Sequence, residues 1–196
     1  MTIKDILLFS MSKQPFIGIS GVAGAGKDLF FKLLNERINL KRFALADQLK
    51  LNVSDWCLKE YDINPTDCSR EDKEKIREFL VFHGTFQRQR TQGRFWIEKL
   101  TPKIQDWLLS EDTDLGLQSI GTPCVTDIRY AEYDRDEAHW VQNEMNGVLI
   151  HISQYEECLL DVATPYKIPL PPANSEEERN DPLLKELADY KIEWPR

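Results

Sequence analysis

The sequence predicts an α/β domain of three layers, in which a mainly parallel sheet is flanked by helices. Two observations support this prediction. Short apolar runs alternate with amphipathic segments of helical period along most of the chain. A glycine-rich turn at residues 21–27 separates the first apolar run from the first amphipathic segment. Repeated strand–helix units usually connect parallel strands, so the sheet is expected to be mainly parallel.

Size and charge narrow the classes of function. The 196 residues suit one domain spanning residues 1–196, and a hydrophobic content of 41% is enough for a core. The net charge of -8 argues against nucleic-acid and membrane partners, which require a basic surface. No apolar run approaches the roughly 18 residues of a membrane span. The four cysteines form no C-x-x-C pair, which indicates free thiols in a cytoplasmic protein. Residues 1–13 are expected to form a loosely held arm.

The glycine-rich turn has the spacing of a phosphate cradle. Gly21, Gly26 and Lys27 match G-x-x-x-x-G-K, between a strand predicted at residues 16–20 and a helix at 28–37. Backbone N–H groups of such a loop surround phosphate oxygens, while its lysine reaches the β- and γ-phosphates. A glycine-rich turn with an incidental lysine is the alternative, which the flanking elements disfavour. The predicted cradle comprises Gly21, Ala23, Gly24, Ala25, Gly26, Lys27 and Asp28.

Two acids are candidate ligands of Mg²⁺. Asp28 occupies the position at which the motif usually has Ser or Thr. A carboxylate is also a hard oxygen ligand, so Asp28 is expected to contact the metal directly or through water. Asp127 ends a third strand predicted at residues 123–127, where P-loop proteins commonly hold Mg²⁺. Arg129 follows and can reach the same crevice.

The middle of the chain is predicted to be helical. A second strand at residues 42–46 runs into a helix at 47–59, so Asp47 is either a ligand group at the sheet edge or a helix N-cap. After a loop at 62–72 with a cap at Ser69, helices are expected at 70–82, ended by Gly84, and at 95–109.

A basic stretch within these helices suggests a second anion site. Residues 79–97 contain Arg88, Arg90 and Arg94 but no acid, in a chain that is otherwise acidic. Arginine forks fit phosphate, and Arg77 can face the same site from one helix earlier. The alternative is a solvated basic face.

The remaining elements complete the alternation. A helix is predicted at residues 134–145, a strand at 147–152 and a last strand at 190–194. His151 is expected to be a packed histidine. The proline-rich stretch at 153–182 is interpreted as a loop, either a lid over the nucleotide or a surface excursion. A short helix is expected at 183–188.

A phosphate cradle and a separate arginine cluster together suggest a reaction. Hydrolysis alone needs no second anion site, whereas transfer to a phosphate-bearing substrate does. Phosphoryl transfer depends on positioning and charge neutralisation, which both groups of residues can supply. The expected activity is therefore that of a kinase whose acceptor is a phosphate monoester.

Several motifs resemble those of the deoxynucleoside monophosphate kinases of tailed bacteriophages. They are Gly-Val-Ala-Gly-Ala-Gly-Lys-Asp at 21–28, Phe-Ala-Leu-Ala-Asp-Gln-Leu-Lys at 43–50, His-Gly-Thr at 83–85 with Gly-Arg-Phe-Trp at 93–96, Thr-Asp-Ile-Arg-Tyr at 126–130, and Asp-Tyr-Lys-Ile-Glu-Trp at 189–194. The resemblance covers nearly the whole chain. It implies a P-loop NMP-kinase-like fold, with ATP and Mg²⁺ as donor and a dNMP as acceptor. Acceptor-binding helices would span about 47–109 and a lid-like loop about 154–182.

The resemblance also implies roles for individual residues. Lys27 would hold the donor phosphates, Asp127 would lie near the metal, and Lys27, Asp127, Arg94 and Arg129 would act in catalysis. The chain departs from the family at Leu29, where Thr is frequent, and at Gln154, where Arg is common. Because the lid is acidic, with only Lys167 and Arg179 as cations, Arg129 or Arg94 would supply the catalytic charge. The acceptor side would comprise Asp47, Lys50, Arg77, Arg88, Arg90, Arg94, Trp96 and Arg129.

Two other functions stay open at the level of sequence. One is a kinase for another small phosphate, such as phosphomevalonate or dephospho-coenzyme A. The other is a P-loop nucleotide-binding protein without transfer. The base of the acceptor is not determined, and a homodimer is left open.

Overall fold

The computed structural model describes residues 16–114, 121–158 and 166–196, and the arm predicted at residues 1–13 lies outside these ranges. Within them, six strands form one sheet in the order β2–β3–β1–β4–β5, and β6 also pairs with β4. The strands are β1 (Ile17–Ser20), β2 (Leu40–Phe43), β3 (Thr122–Ile128), β4 (Val148–Cys158), β5 (Tyr166–Pro169) and β6 (Tyr190–Pro195).

The sheet is mainly parallel, as predicted. The pairs β1–β3, β1–β4, β2–β3 and β4–β6 are parallel, and the pair β4–β5 is antiparallel. Ser20 ends the central strand and pairs with Ile128 of β3 and His151 of β4. The turn after Ser20 therefore lies at the carboxyl edge of the sheet, where open α/β sheets bind ligands.

Helices cover both faces of the sheet, which confirms the three-layer α/β fold. They are α1 (Lys27–Asn35), α2 (Leu45–Tyr61), α3 (Arg70–Lys75), α4 (Arg77–Arg90), α5 (Arg94–Asp114), α6 (Glu137–His139, continued by a π-helical turn at Trp140–Glu144) and α7 (Ser175–Leu187). Two large apolar clusters form the core. One joins β1 and β4 to α1 through Ile19, Ile150 and Leu34. The other joins β3 and β4 to α5 and α6.

A third and smaller apolar cluster lies among the helices that follow β2. Val53 and Cys57 of α2 pack there with Ile76 and Leu80, and all four are buried. The region of α2 to α4 therefore has a small core of its own beside the main sheet core.

Gly84 does not end a helix, contrary to prediction. Helix α4 passes through it to Arg90, and Leu49 packs where a Cβ would stand, at 3.2 Å. The helix ends instead at Arg90, and Gly93 reverses the chain shortly after it, with a left-handed φ of 88° and an N–H that donates to the carbonyl of Arg88 at 2.8 Å. A glycine C-terminal to a helix supplies this conformation at little cost.

The stretch at residues 153–182 is more ordered than predicted. Strand β4 continues to Cys158, β5 pairs back on it, and α7 starts at Ser175 and runs through Pro182. The Asn174 side chain caps α7 by accepting from the N–H of Glu177 at 2.9 Å. The part of the predicted lid at 159–165 lies outside the described residues.

The other boundaries shift by a few residues. Strand β2 ends at Phe43, and α2 starts at Leu45, so the predicted strand at 42–46 extended too far. The helix predicted at 134–145 shrinks to α6, where the N–H of Met145 donates to the carbonyl of Trp140 in π-helical spacing. No helix in the described ranges combines the length and apolar character needed to cross a bilayer.

Candidate active site

The glycine-rich turn joins β1 to α1 through a backbone that requires its glycines. Gly21, Gly24 and Gly26 have φ values of 134°, 83° and 88°. A Cβ on Gly21 would collide with the carbonyl oxygen of Ile152 in β4. Since the loop is followed directly by the N-terminus of α1, its amides and the helix dipole can both attract an anion.

Lys27 lies at the mouth of this loop beside a second cation. Its Nζ donates to the carbonyls of Gly21 at 2.7 Å and Val22 at 2.9 Å. Burial lowers the pKa of Lys27, and the charge of Arg129 lowers it further, while Glu177, Asp127 and Asp28 oppose this shift. Two cations that lie close enough to repel each other would be stabilised by an anion between them.

Arg129 is the exposed member of this pair. No described residue forms a hydrogen bond or ion pair with its guanidinium group. Its backbone is held firmly, because the N–H groups of Arg129 and Tyr130 donate to the carboxylate of Glu137 at 2.6 and 3.2 Å. Glu137 is buried, and burial together with Asp136 raises its pKa to about 8.

The indole of Trp194 supports the loop from the last strand. Its Nε1 donates to the carbonyl of Ala25 at 3.1 Å, and its ring contacts Phe30 of α1. A Cβ on Gly26 would stand 2.5 Å from the same ring. Trp194 therefore helps to set the position of the loop, a role that its place in a sequence motif did not reveal.

Glu177 of α7 accepts a hydrogen bond from a backbone N–H of the glycine-rich loop. The N–H of Ala23 lies 3.1 and 3.2 Å from the two carboxylate oxygens of Glu177, and the N–H of Ala173 donates to the same group at 2.9 Å. The sequence predicted a lid over the nucleotide or a surface excursion at residues 153–182, but it did not predict that Glu177 contacts the loop. The two partners are 154 residues apart in the chain.

Asp127 is engaged by the backbone of α2. Its two carboxylate oxygens accept from the N–H groups of Leu45 at 2.9 Å and Ala46 at 2.8 Å, which caps the helix start. Burial raises the pKa of Asp127, while these hydrogen bonds and Arg129 counteract that effect. Asp47, predicted as a ligand group or cap, instead pairs with Arg42 and Lys50 near the surface.

The residues of the loop fit a phosphate better than a metal ion alone. The described residues contain no group of three or more His, Cys, Asp or Glu that could hold a metal. Mg²⁺ usually keeps several waters and binds proteins through one or two carboxylates together with substrate phosphates. Asp28, which is exposed at the start of α1, is compatible with that mode once a nucleotide supplies the other ligands.

The structure does not bring the predicted arginine cluster together. Arg94 forms a two-pronged pair with Glu144, both contacts 2.8 Å, and Arg77 pairs with Glu74 at the surface. Arg90 is exposed beside the ring of Phe95. The partner of Arg94 comes from α6, far away in sequence, so the stretch without acids at 79–97 was misleading.

Trp96, which was expected on the acceptor side, belongs to the core. Its side chain is buried, and its indole N–H donates to the carbonyl of Gly84 at 3.2 Å. Its ring joins α5 to α4, because it also contacts Phe95 and His83. The structure therefore places it as a packing residue.

Arg88 lines a cleft beside Tyr130. Its guanidinium is buried between Asp136 at 2.5 Å and Glu132 at 3.1 Å and stacks on the ring of Tyr130. Burial raises the pKa of Tyr130 to about 12, so its hydroxyl is protonated at neutral pH. The cleft encloses about 320 Å³ and is lined by Thr85, Arg88, Gln89, Tyr130, Glu132, Tyr133, Glu176 and Arg179.

His151 is a packed histidine, as predicted. It is 1% exposed, and its Nδ1 lies 3.1 Å from the hydroxyl of Ser20. Burial is the main cause that lowers its pKa to about 4, so the ring is neutral at pH 7. Its Nε2 faces Asp181 of α7 at 3.7 Å, which is beyond hydrogen-bond range.

Comparison with known proteins gives a fold likeness and no family. No protein-family model matches the chain, and no curated protein matches it either. One similar solved structure is a dephospho-CoA kinase from Campylobacter jejuni, with 14% sequence identity and a TM-score of 0.44. The similarity covers 92% of this chain and 88% of that one. At this level it records a distant likeness in fold.

Proposed function

We propose that the protein is a kinase that transfers the γ-phosphoryl group of ATP to a deoxynucleoside monophosphate, giving a dNDP and ADP. One observation carries the proposal. The cationic pair of Lys27 and Arg129 lies at a glycine-rich phosphate cradle, and the segment carrying Arg129 continues into the wall of a separate polar cleft. A donor and an acceptor held in these two places would meet near Arg129.

The cradle supports the assignment of the donor. Backbone N–H groups with left-handed glycines, a lysine at the helix start and the α1 dipole suit the phosphates of ATP. ATP with Mg²⁺, when bound, supplies the electrophilic γ-phosphoryl group. The chain itself would hold the phosphates through the loop amides and neutralise their charge through Lys27 and Arg129. Asp28 is the proposed metal contact, with Asp127 assisting through water.

The cleft supports the assignment of the acceptor. Arg88 and Arg179 bring guanidinium groups to the cleft, each paired with carboxylates of Glu132, Asp136 or Glu176, and Tyr130 brings a hydroxyl. Glu132 and Glu176 offer acceptors for sugar hydroxyls or base amino groups. A phosphate monoester that carries a sugar and a base matches this mixture, and the preference for a deoxynucleotide rests on the sequence motifs.

Arg129 is the proposed catalytic arginine in preference to Arg94. Arg129 lies close enough to Lys27 to affect its pKa, whereas Arg94 is engaged by Glu144. An arginine at the transferring group can accelerate phosphoryl transfer by about 10³–10⁵. Four other predicted residues contribute to the acceptor side only through the charge and polarity of the surface. They are Arg77, Arg90, Asp47 and Lys50.

An acceptor panel tests the proposal. ADP release would be measured with ATP, Mg²⁺ and each of dAMP, dGMP, dCMP and dTMP, beside phosphomevalonate and dephospho-coenzyme A, with mass detection of the product. The expected result is release stimulated by at least one dNMP, with the matching dNDP formed and no activity in Lys27→Ala. Stimulation only by one of the other two phosphates, or by no acceptor, would reject the deoxynucleotide assignment.

A further inference from the structure

The first turn of α7 contacts both halves of the proposed site. Glu177 accepts from the N–H of Ala23 in the cradle, whereas Glu176 and Arg179 line the cleft. Asn180 is fully buried beneath them, and it accepts from the N–H of Ala131 and donates to the carbonyl of Glu176. This turn is therefore tied to the cradle on one side and to the cleft wall on the other.

The carboxylate of Glu177 has the chemistry of the ligand that the cradle is built to hold. A carboxylate and a phosphate are both anionic acceptors for backbone N–H groups. The Ala23 N–H points at both oxygens of Glu177, and Glu177 counteracts the fall in the pKa of Lys27. A single N–H cannot donate in full to two anions, so a phosphate at this amide must displace the glutamate.

We propose that Glu177 is an internal competitor of the nucleotide, which closes the cradle until ATP displaces it and thereby couples donor binding to the acceptor cleft. This inference rests on the proposed function, because it assigns regulation of the same site. When Glu177 leaves Ala23, the turn bearing Glu176 and Arg179 is freed from the cradle. The contact between the Glu177 carboxylate and the Ala23 N–H is called the Glu177 latch below.

If the Glu177 latch exists, removing the carboxylate of Glu177 should strengthen the binding of ATP. If the closed state holds nine-tenths of the molecules, the observed dissociation constant for ATP is raised about tenfold by the closed population. Opening the latch permanently removes that factor. A residue that merely stabilised α7 would give the opposite result or no change.

Calorimetric titration with Mg²⁺ and a non-hydrolysable ATP analogue, without acceptor, tests this prediction. Glu177→Gln keeps the shape of the side chain and removes its charge, and Glu177→Ala removes the acceptor as well. The matched control is Glu178→Gln, because Glu178 is the next residue, is exposed, and its carboxylate contacts no described residue. The expected result is analogue binding about five- to tenfold tighter in both Glu177 variants than in Glu178→Gln.

Amide hydrogen exchange gives a second readout. In the wild-type protein, the analogue should slow exchange in the cradle peptide and speed it in the peptide covering residues 173–180. In Glu177→Ala, the second peptide should exchange fast already without nucleotide. This pattern distinguishes a latch from a general change in surface charge.

Failure of this inference can be told apart from failure of the proposed function. If the wild-type protein binds the analogue, and the Glu177 variants bind it no more tightly than Glu178→Gln, the latch is rejected while the donor site stands. If neither wild type nor variants bind the analogue, the proposed function fails. Unchanged exchange at residues 173–180 on nucleotide binding also rejects the latch.

Discussion

The cradle and the arginine-bearing helices differ in what fixes their ligand groups. The cradle presents backbone N–H groups, whose direction is set by three left-handed glycines within residues 21–26. The basic stretch at 79–97 presents side chains, whose direction is set by distant acids. Arg88 turns toward Asp136 and Arg94 toward Glu144, 48 and 50 residues further along the chain. Residues that are neighbours in sequence therefore act together in the cradle, whereas the arginines of the basic stretch are drawn apart.

This difference shows why residue spacing predicts a phosphate loop better than it predicts a cluster of arginine side chains. A phosphate loop is specified by local φ preferences, so its residues act together wherever a strand leads into a helix. A cluster of arginines is specified only when no acid elsewhere competes for it. A guanidinium gains more from a nearby carboxylate than from solvent, particularly when it is buried like Arg88.

The largest effect is expected when the two kinds of arginine are exchanged for alanine. Arg129→Ala should lower kcat by about 10³, because the cation beside Lys27 would no longer neutralise the transferring group. Arg94→Ala is the matched variant and should leave kcat within about threefold, since its partner is Glu144. Steady-state kinetics would check this contrast. Equal losses in both variants would mean that Arg94 leaves Glu144 to reach the substrate.

The next effect concerns the backbone of the cradle. Gly21→Ala should destabilise the protein by about 3 kcal/mol or more, because the φ of 134° is strained for alanine and its methyl would meet the carbonyl of Ile152. Urea unfolding would measure it. Gly24→Ala, where the new methyl would meet the Leu170 side chain at 3.4 Å as its one neighbour among the described residues, should cost less. A smaller loss at Gly21 than at Gly24 would contradict the geometry.

Buried His151 predicts a pH dependence of stability beneath the cradle. Its pKa is about 4 in the folded chain against about 6.5 unfolded, so the unfolded state binds more protons between these values. The contribution of neutral His151 to the free energy of unfolding is fully present above pH 6.5. It is lost as the pH falls toward 4, by at most about 3 kcal/mol. His151→Gln should reduce this loss. Urea unfolding at pH 7 and pH 4.5 measures the difference, and parallel losses in both proteins would refute it.

The smallest expected effect is that of the indole under the loop. Trp194→Phe keeps an aromatic ring and removes the N–H that donates to the carbonyl of Ala25, at a cost of about 1 kcal/mol. We expect the KM for ATP to rise about fivefold with kcat little changed, because the loop position, and not the transfer step, is affected. Trp56→Phe, in α2, serves as the control and should leave KM unchanged.

The sequence predicted the fold well because its strongest signals are local. The alternation of apolar runs and amphipathic segments identified β1, β3, β4 and β6, and the cap at Ser69 is present, with its hydroxyl accepting from the N–H of Asp72. Gly84 misled because a single glycine is tolerated inside a helix when a neighbour, here Leu49, fills its place. The prolines of 153–182 misled because Pro182 is accommodated within α7.

The candidate site was predicted only where one segment suffices to build it. The cradle residues from Gly21 to Lys27 form the loop that the motif describes. The contacts of Glu177, Asn180 and Asp136 bring together residues that are distant in sequence, and no local pattern marks them. Asp127 illustrates the intermediate case, since its place at the end of β3 was predicted, but its hydrogen bonds to the start of α2 depend on the packing of two elements.

The contiguity of the donor and acceptor sites is tested by calorimetric binding of four bisubstrate analogues. In each, adenosine is joined through five phosphates to deoxyadenosine, deoxyguanosine, deoxycytidine or thymidine. In the proposed complex, two anionic ligands lie end to end, one in the cradle and the other in the cleft lined by Arg88. At least one of the four analogues should therefore bind about 10² times more tightly than ATP, because linking the two ligands makes the second contact intramolecular. Binding of all four no tighter than ATP would contradict the central claim that donor and acceptor sites are contiguous.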